Sequence, residues 1–542
     1  MKQSNAFRFD LFAVAILLVS GFKFTFALES FMDIVLADES VYLSNGLQIP
    51  IHGLPGPLLA PLYSLWYFVL SLLRPDPVSL FYLNYRLLTI AIPLFIYVFL
   101  RTYKLRPLAA LLVSAYFLIS FSNLPLRPKY VHFSLLTLLP FFILASHFRS
   151  PTIATLLVSL GSLLSSFVCP NLILSFELLI ILYIILLVRN FRQFHFSSEL
   201  LALLIFVCSS SALIAIFGLP AFAGEADRSF LAFRQHFSVN WATCTDSNLN
   251  PWTHWDTISS EHFGNAHSIF SSFVANPLYF LYHLCYNILR TPLTIPKLLF
   301  PHYNIIMPIT PKIFWIAEGL LFPAVVIAFL LRFKNDWFIG LNKAIQERSI
   351  FLLHIALCSI PGLVSCIIIF PRTHYLLLPC TLLISGAALL VLRNAAKNPN
   401  GMKQLFTAFI VLSFTPFLCE YNTPGHLTLN AGMANMETIN IIRSLSIAKE
   451  VRLLAARPGY DIYFGDRFRS VGVYVKKNAF REFLDEQRIN MIVVSTKLEN
   501  ESRLLEDDEW HDFLHNYETC DWKRMNIPNT ERTLFVKNEL LQ

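Results

Sequence analysis

A chain of 542 residues with 55% hydrophobic and only 14% charged residues, and a mean hydropathy of +0.56, is not a string of soluble domains, which carry roughly 25% charged residues. The net charge of +7 mainly sets orientation in a membrane protein, and nothing in it suggests nucleic acid. The nine cysteines are scattered and form no CxxC pair, so neither a zinc ribbon nor a disulfide framework is indicated. A single external bridge involving Cys244, Cys419 or Cys520 stays open.

Lys2 and Arg8 precede an apolar run from Phe9 to Leu28. The run is long for a signal peptide and has no small-x-small cleavage site, so it is expected to be a retained anchor. Glu29 to Pro57 follows, carrying Glu29, Asp33, Asp38 and Glu39 with no Lys or Arg. Asp38-Glu39 is either a hydrated acid pair, a helix N-terminal charge, or a general base whose pKa is raised by partial desolvation and a like-charged neighbour. Such acids can also hold a metal or sugar hydroxyls.

Long uncharged runs such as Leu376–Leu392 read as transmembrane helices. Spans are expected at about 9–28, 84–101, 107–123, 131–148, 152–169, 171–188, 199–219, 313–332, 350–370, 374–393 and 403–419. Between them, basic turns at Arg101/Lys104/Arg106, Arg149, Arg189/Arg192, Arg332–Arg348 and Arg393–Lys403 alternate with turns poor in basic residues. The basic set is expected to be cytoplasmic, which places 29–83, 218–312 and 420–542 on the external side. Leu58–Leu73 is short for a core of roughly 30 Å, and counting it as a span would invert every later loop. It is expected to lie on the outer surface or to re-enter, with Tyr63, Trp66 and Tyr67 at the interface.

Two external turns break the charge rule. Arg127-Pro-Lys129-Tyr130-Val-His132 and Pro371-Arg372-Thr-His374-Tyr375 place cations where an anionic ligand or snorkelling to headgroups would explain them. Lys23 reads as a snorkelling residue. The external loop 218–312 is rich in aromatic residues and carries His236, His254, Asp256, Glu261, His262 and His267. Their spacing is not that of a zinc site, and Trp241, Trp252 and Trp255 read as anchors. Ser268–Leu289 reads as an interfacial helix. Glu177, inside a span, is a functional-site hypothesis by default. From Glu420 charge rises. Asp461–Phe464, Met491–Ser495 and Thr533–Val536 read as strands, and Lys477–Arg488 and Asp507–Asn516 as helices, giving a small α/β domain.

Acids in one external turn and isolated cations in two others suit a phosphate-linked substrate reached from the membrane. A phosphate leaving group, whose second ionisation lies near about 6, needs charge stabilisation more than a protonating acid. Four stretches then resemble the GT-C superfamily of polyprenyl-phosphate-sugar-dependent glycosyltransferases, in the branch of the protein O-mannosyltransferases and lipid A aminoarabinose transferases; one of them, Arg86-Leu87 through Arg106, looks like the family's second span with its basic cytoplasmic turn. Asp38-Glu39-Ser40-Val41-Tyr42 resembles the family's Asp-Glu-x-x-Tyr motif. Gly56-Pro57-Leu58-Leu59-Ala60-Pro61-Leu62-Tyr63 resembles its Pro-Pro-Leu-x-Tyr juxtamembrane helix. Pro371-Arg372-Thr-His-Tyr375-Leu-Leu-Leu-Pro379 is similar to its late Arg-Tyr-Leu-Leu-Pro segment, although two residues separate Arg372 from Tyr375 where many relatives have the pair adjacent.

The apolar runs thus predict a polytopic α-helical membrane protein, with about 11 transmembrane helices plus juxtamembrane helices over residues 1–419, which the resemblance implies to be GT-C-like. A small extramembrane α/β domain would cover 420–542. The resemblance implies an inverting enzyme that moves a sugar from a polyprenyl-phosphate carrier to a glycolipid, glycan or protein acceptor on the external or periplasmic side of a bacterial inner membrane. Asp38 would be the base with Glu39 beside it. Arg372, His374, Tyr375, Arg127, Lys129, Tyr42 and Tyr63 would bind substrate. No cofactor is fixed, and a divalent cation is left open. A lipid or solute transporter or flippase, a non-catalytic envelope-assembly subunit, and an oligosaccharide ligase are the alternatives.

Overall fold

The computed structural model describes residues 2–36, 38–189, 196–220, 226–247, 249–252, 254–299, 345–346, 348–395 and 433–541. The described residues fall into two compact units. One draws on 1–25, 55–63 and 85–421, the other on 26–54, 64–84 and 422–542. The break expected at 419/420 lies outside the described residues, and the grouping adds a finding: 26–54 and 64–84 cluster with the C-terminal domain.

The first unit is helical. In chain order the helices are α1 (Lys2–Phe24), α2 (Asp38–His52), α3 (Pro61–Ser71), α4 (Pro77–Thr102), α5 (Pro107–Ile119), α6 (Tyr130–Ala145), α7 (Pro151–Ser166), α8 (Ile173–Arg189), α9 (Phe196–Phe217), α10 (Ala226–Thr245), α11 (Trp255–Phe263), α12 (Ile269–Ala275), α13 (Pro277–Leu299), α14 (Ser349–Ile368) and α15 (Thr373–Ala395); α2, residues 64–71 of α3 and residues 77–84 of α4 belong to the second unit. Among the described residues, six helices are long and apolar enough to cross a membrane: Phe7–Ser30, Pro77–Thr102, Pro170–Arg189, Ser198–Phe217, Ser349–Ile368 and Thr373–Leu390. Helices α5, α6 and α7 fall where spans are expected but are shorter, at 13, 16 and 16 residues. At 1.5 Å per residue they rise about 20–24 Å, short of a core of about 30 Å. The spans expected at 313–332 and 403–419 lie outside the described residues, and the count of about 11 is not confirmed among the described ones.

Close helix contacts hold this unit together. Asp10 of α1 accepts from Tyr97 at 2.5 Å and from Arg101 at 2.6 and 2.9 Å on α4, a bidentate pair at one helix end. Helix α7 offers small residues to its neighbours. Its Thr155 bonds His354 at 2.9 Å, and Ser159 turns its hydroxyl back on the Thr155 carbonyl at 2.8 Å. Helix α4 ends in a Schellman turn, with Leu105 N–H donating to Leu100 O at 3.0 Å and Lys104 N–H to Arg101 O at 2.9 Å. Lys104 therefore sits at φ 65°, a position that favours glycine and costs a side-chain-bearing residue about 1–2 kcal/mol.

Helices α14 and α15 touch at Gly362, where an added Cβ would come within 2.6 Å of both Pro379 Cγ and the Tyr375 carbonyl. Gly362→Ala should therefore cost about 1–3 kcal/mol through overpacking. A lower melting temperature is the expected reading, and an unchanged one would show that the two helices slide apart freely.

In the second unit a five-stranded sheet runs in the order β2-β1-β3-β5-β4, from β1 (Val451–Ala455), β2 (Phe468–Gly472), β3 (Met491–Val494), β4 (Trp522–Asn526) and β5 (Thr533–Lys537). The β1–β2 and β1–β3 pairs are parallel, β3–β5 and β4–β5 antiparallel. The expected strand at Asp461–Phe464 is instead a 3-10 turn at Asp461–Tyr463, in which the Asp461 carboxylate accepts from Ser470 at 2.6 Å. Phe480, Phe483, Trp510, Phe513 and Phe535 fill the core between sheet and helices.

The segment after α1 belongs to this unit through α16 (Ala434–Ser444). The Asp33 carboxylate accepts the backbone N–H groups of Asn435 and Met436, both at 2.9 Å, which satisfies donors that an α-helix leaves open at its start. Asn435 donates to Ile34 O at 2.7 Å, Tyr82 to Met32 O at 2.7 Å, and Arg443 to Asp76 at 2.7 Å. Helix α2 packs on the second part of α3 because Gly46 lacks a side chain; a Cβ there would lie 2.6 Å from Tyr67 Cβ.

Candidate functional site

Asp38 and Glu39 open α2 and occupy its first turn, where negative charge complements the helix dipole. The two acids differ in exposure. Glu39 is wholly buried; its Oε1 accepts from Tyr67 Oη at 2.5 Å and from Asn84 Nδ2 at 3.3 Å. Asn84 also donates to Tyr67 Oη at 2.9 Å and accepts from Trp66 Nε1 at 2.9 Å. Such a network fixes a buried carboxylate at one position. Asp38 is exposed and has no side-chain hydrogen bond to another described residue. The second unit thus presents one acid held rigidly and a neighbour open to a ligand.

Hydropathy puts Tyr67 at the membrane interface with Tyr63, but both are fully buried. Tyr67 turns inward to meet Glu39, and Tyr63 packs its ring 5.4 Å from Phe133 in the first unit. Tyr42 is buried on the Glu39 side of α2, 4% exposed. In this conformation Tyr42 and Tyr63 are packing residues. Asp33, half-buried among its partners on α16, has its pKa raised: desolvation outweighs the backbone hydrogen bonds from Asn435 and Met436 and the charge of Arg532.

The α5–α6 turn places its cations unequally. Lys129 is fully buried, donates to the Asn123 carbonyl at 2.5 Å and lies 5.1 Å over the Tyr85 ring. It braces the turn. His132, also buried, meets Ser122 O at 2.7 Å. Arg127 is partly exposed, and its buried Nε has no hydrogen-bond partner among the described residues.

The turn between α14 and α15 carries Arg372, with His374 and Tyr375 in the first turn of α15. Helix α14 ends with carbonyls that no later turn can satisfy, and α13 supplies the donors. Asn287 donates to Ile367 O at 2.9 Å, and His283 Nε2 contacts Ile368 O at 3.1 Å. Asn240 on α10 bonds both Asn287 Oδ1 and His283 Nδ1 at 2.9 Å. Burial pushes His283 down to about 4, so the neutral ring donates through Nε2 and accepts at Nδ1. These bonds hold Phe370 and Arg372 in place. The His236 ring stacks on Phe370 at 4.7 Å and meets Trp252 edge-on at 5.4 Å. Arg290 lies 5.5 Å over the other partner of that stack, Phe370, and 4.9 Å over Tyr286, while Arg372 lies 6.0 Å over Trp252. Among the described residues no acidic side chain pairs with Arg290 or Arg372.

His374 is buried, with its ring 4.4 Å from that of Tyr375. His236 is driven down to about 3, first by burial, then by Arg372, His283 and His374. Its Nδ1 is buried with no hydrogen-bond partner among the described residues. Two planar guanidinium forks and a neutral imidazole around an aromatic platform are suited to phosphoryl oxygens.

A group held neutral in the fold below its ordinary value of about 6.5 adds stability above that value and loses it as pH falls towards its folded pKa. Acidification from pH 6.5 towards about 3 should therefore lower the melting temperature partly through His236. That part of the drop should shrink in His236→Phe, and an identical pH profile in the variant would refute the assignment.

The other histidines of the 218–312 loop do not converge. Asp256 pairs with Arg234, His262 packs among Trp241, Phe237 and Tyr279, and His254 bonds the Asn250 carbonyl. Among the described residues no three His, Cys, Asp or Glu side chains form a metal-holding group. Glu177 sits on an exposed face of α8, and Lys23 is exposed near the end of α1. Arg290 and Phe370 carry no motif that singles them out in the sequence. An Arg one turn beyond Tyr286 and Asn287 on an aromatic helix is the only local signal. Neither known protein-family models nor curated proteins match the chain.

Proposed function

We propose that this chain is an integral membrane glycosyltransferase that moves one sugar from a polyprenyl-phosphate carrier to a glycolipid, glycan or protein acceptor. The reading places the reaction on the external or periplasmic side of a bacterial inner membrane, with the C-terminal domain on that side. The observation that carries it is the Arg290–Phe370–His236–Arg372 cluster, a cationic and aromatic site without an acidic partner among the described residues. The sugar-transfer element rests on the GT-C-like motifs.

In the proposed step a carboxylate, assigned to Asp38 by the motif resemblance alone, takes the proton of an acceptor hydroxyl. The acceptor oxygen attacks the anomeric carbon and the bond from that carbon to the phosphate oxygen breaks. The electron pair leaves with polyprenyl phosphate, whose charge is met by Arg372 and Arg290. A single displacement inverts the anomeric centre. Glu39 is a positioning residue that fixes the first turn of α2. His236, neutral, supplies a hydrogen-bond donor or acceptor without adding a third charge.

The test is transfer of labelled sugar from a panel of polyprenyl-phosphate sugars by the purified protein in liposomes containing membrane extract as acceptor. Labelled product with one donor supports the reading. Movement of the labelled donor across the bilayer without transfer would make the protein a flippase and sink it.

A further inference from the structure

At the end of the helical unit formed by the α4–α5 turn, the α6–α7 turn and the start of α14, a cavity of about 380 Å³ opens. Its lining includes Lys104, Arg149, Arg348, Ser146 and Ser349, with no Asp or Glu among the described residues that line it. Three cations from three separate connections therefore point at one space. The charge rule for membrane proteins explains why each turn is basic, but not why the three converge.

Each cation is placed by the fold. Arg348 is tied by a bond from Nη2 to the Tyr103 carbonyl at 2.7 Å, and the Tyr103 and Phe351 rings meet at 4.0 Å beneath it. Arg149 is exposed in the α6–α7 turn. Lys104 occupies the left-handed cap of α4, where glycine would be the more stable choice. A residue that bears this backbone strain and brings a cationic side chain to the lining of a cavity points to use of that side chain. Helices α7 and α14, of 16 and 20 residues, both begin at this cavity, so their partial positive ends add to the same field. Ser150, which also lines the cavity, donates to Glu199 at 2.9 Å; that carboxylate is taken up by the serine and is not itself part of the lining.

We propose that this cavity binds a phosphate-bearing ligand, its phosphoryl oxygens held by Lys104, Arg149 and Arg348. The volume lies in the range of small-ligand sites, and basic pockets between membrane helices take anionic lipid headgroups. A phospholipid phosphate and a soluble diphosphate share this chemistry. The site is separate from the Arg290/Arg372 cluster and stands whether or not the protein transfers sugar.

The experiment measures melting temperature of the full chain in phosphatidylcholine nanodiscs under two additions, phosphatidic acid in the disc or inorganic pyrophosphate in solution. Lys104→Gly, Arg149→Gln and a control, Arg106→Gln, are compared with the parent. Arg106 is an exposed cation of the same region that does not line the cavity. The parent should be stabilised in at least one arm, and that arm identifies the source. Lys104→Gly should melt no lower than the parent without additive, yet bind roughly tenfold more weakly, as expected when one hydrogen bond from a charged donor is removed. Arg149→Gln should weaken binding similarly and Arg106→Gln should not. The proposal is overturned if neither addition stabilises the parent, if both cavity variants keep full stabilisation, or if Arg106→Gln loses as much as they do.

Discussion

Asp38→Asn should fold as the parent does and transfer sugar at least about 100-fold more slowly, the low end of what a positioned general base contributes. The substitution keeps size and shape and removes only the capacity to take a proton. Asp38 is exposed at the start of α2, so no internal bond is lost with its charge. Glu39→Gln should behave differently. Glu39 is the acceptor for Tyr67 and Asn84 inside a closed network, and an amide oxygen is a weaker acceptor than a carboxylate. That change should cost about 1–3 kcal/mol of stability and reduce transfer through displacement of the α2 first turn. Initial rates at saturating donor, measured beside thermal melts, separate the two. A parent-like rate for Asp38→Asn, together with a stable but inactive Glu39→Gln, would exchange their roles.

The difference between the two acids is not readable from adjacent letters. Sequence order places Asp38 and Glu39 side by side, but helical geometry turns neighbours about 100° apart, and only the presence of Tyr67 and Asn84 decides which is buried. The same limit applies to Tyr63 and Tyr67: hydropathy does not distinguish an aromatic residue facing headgroups from one facing protein. Apolar runs are legible because a membrane solvent demands them, and the Arg372 turn is legible because a cation there breaks the charge rule. Strand β3 (MIVV) shows a β-branched run, and β5 (TLFVK) joins β-branched, aromatic and aliphatic residues. In contrast, β2 (FRSVG) and β4 (WKRMN) carry charges and are strands only through their partners. Least legible is the capture of the first loop by the C-terminal domain. Asp33 and Asn435 are 402 positions apart, and nothing local in LESFMDIVL announces a helix-capping carboxylate. That pairing gives the C-terminal domain a physical role, holding the segment that leads into Asp38.

Arg372→Ala should lower kcat by about 10²–10³, the effect of removing one preorganised donor from a developing charge. The split between kcat and KM depends on where the charge appears. The donor phosphate already carries negative charge in the ground state, so part of the loss should emerge as a higher KM. Charge added at the bridging oxygen as the glycosidic bond breaks appears only towards the transition state, so kcat must fall as well. Arg372→Lys keeps the charge but not the planar fork and should recover KM more fully than kcat. Arg290→Ala should show the same pattern, because Arg290 reaches Phe370 from α13 while Arg372 follows it in the chain. In the proposed transfer the two guanidinium groups share one phosphate and do not act independently. The double variant should therefore lose less than the product of the single losses. Polyprenyl phosphate, as product, should inhibit the parent and inhibit both single variants less. A kcat unchanged by Arg372→Ala, with only KM raised, would make the cluster a docking site for the carrier and leave the departing phosphate to be stabilised elsewhere.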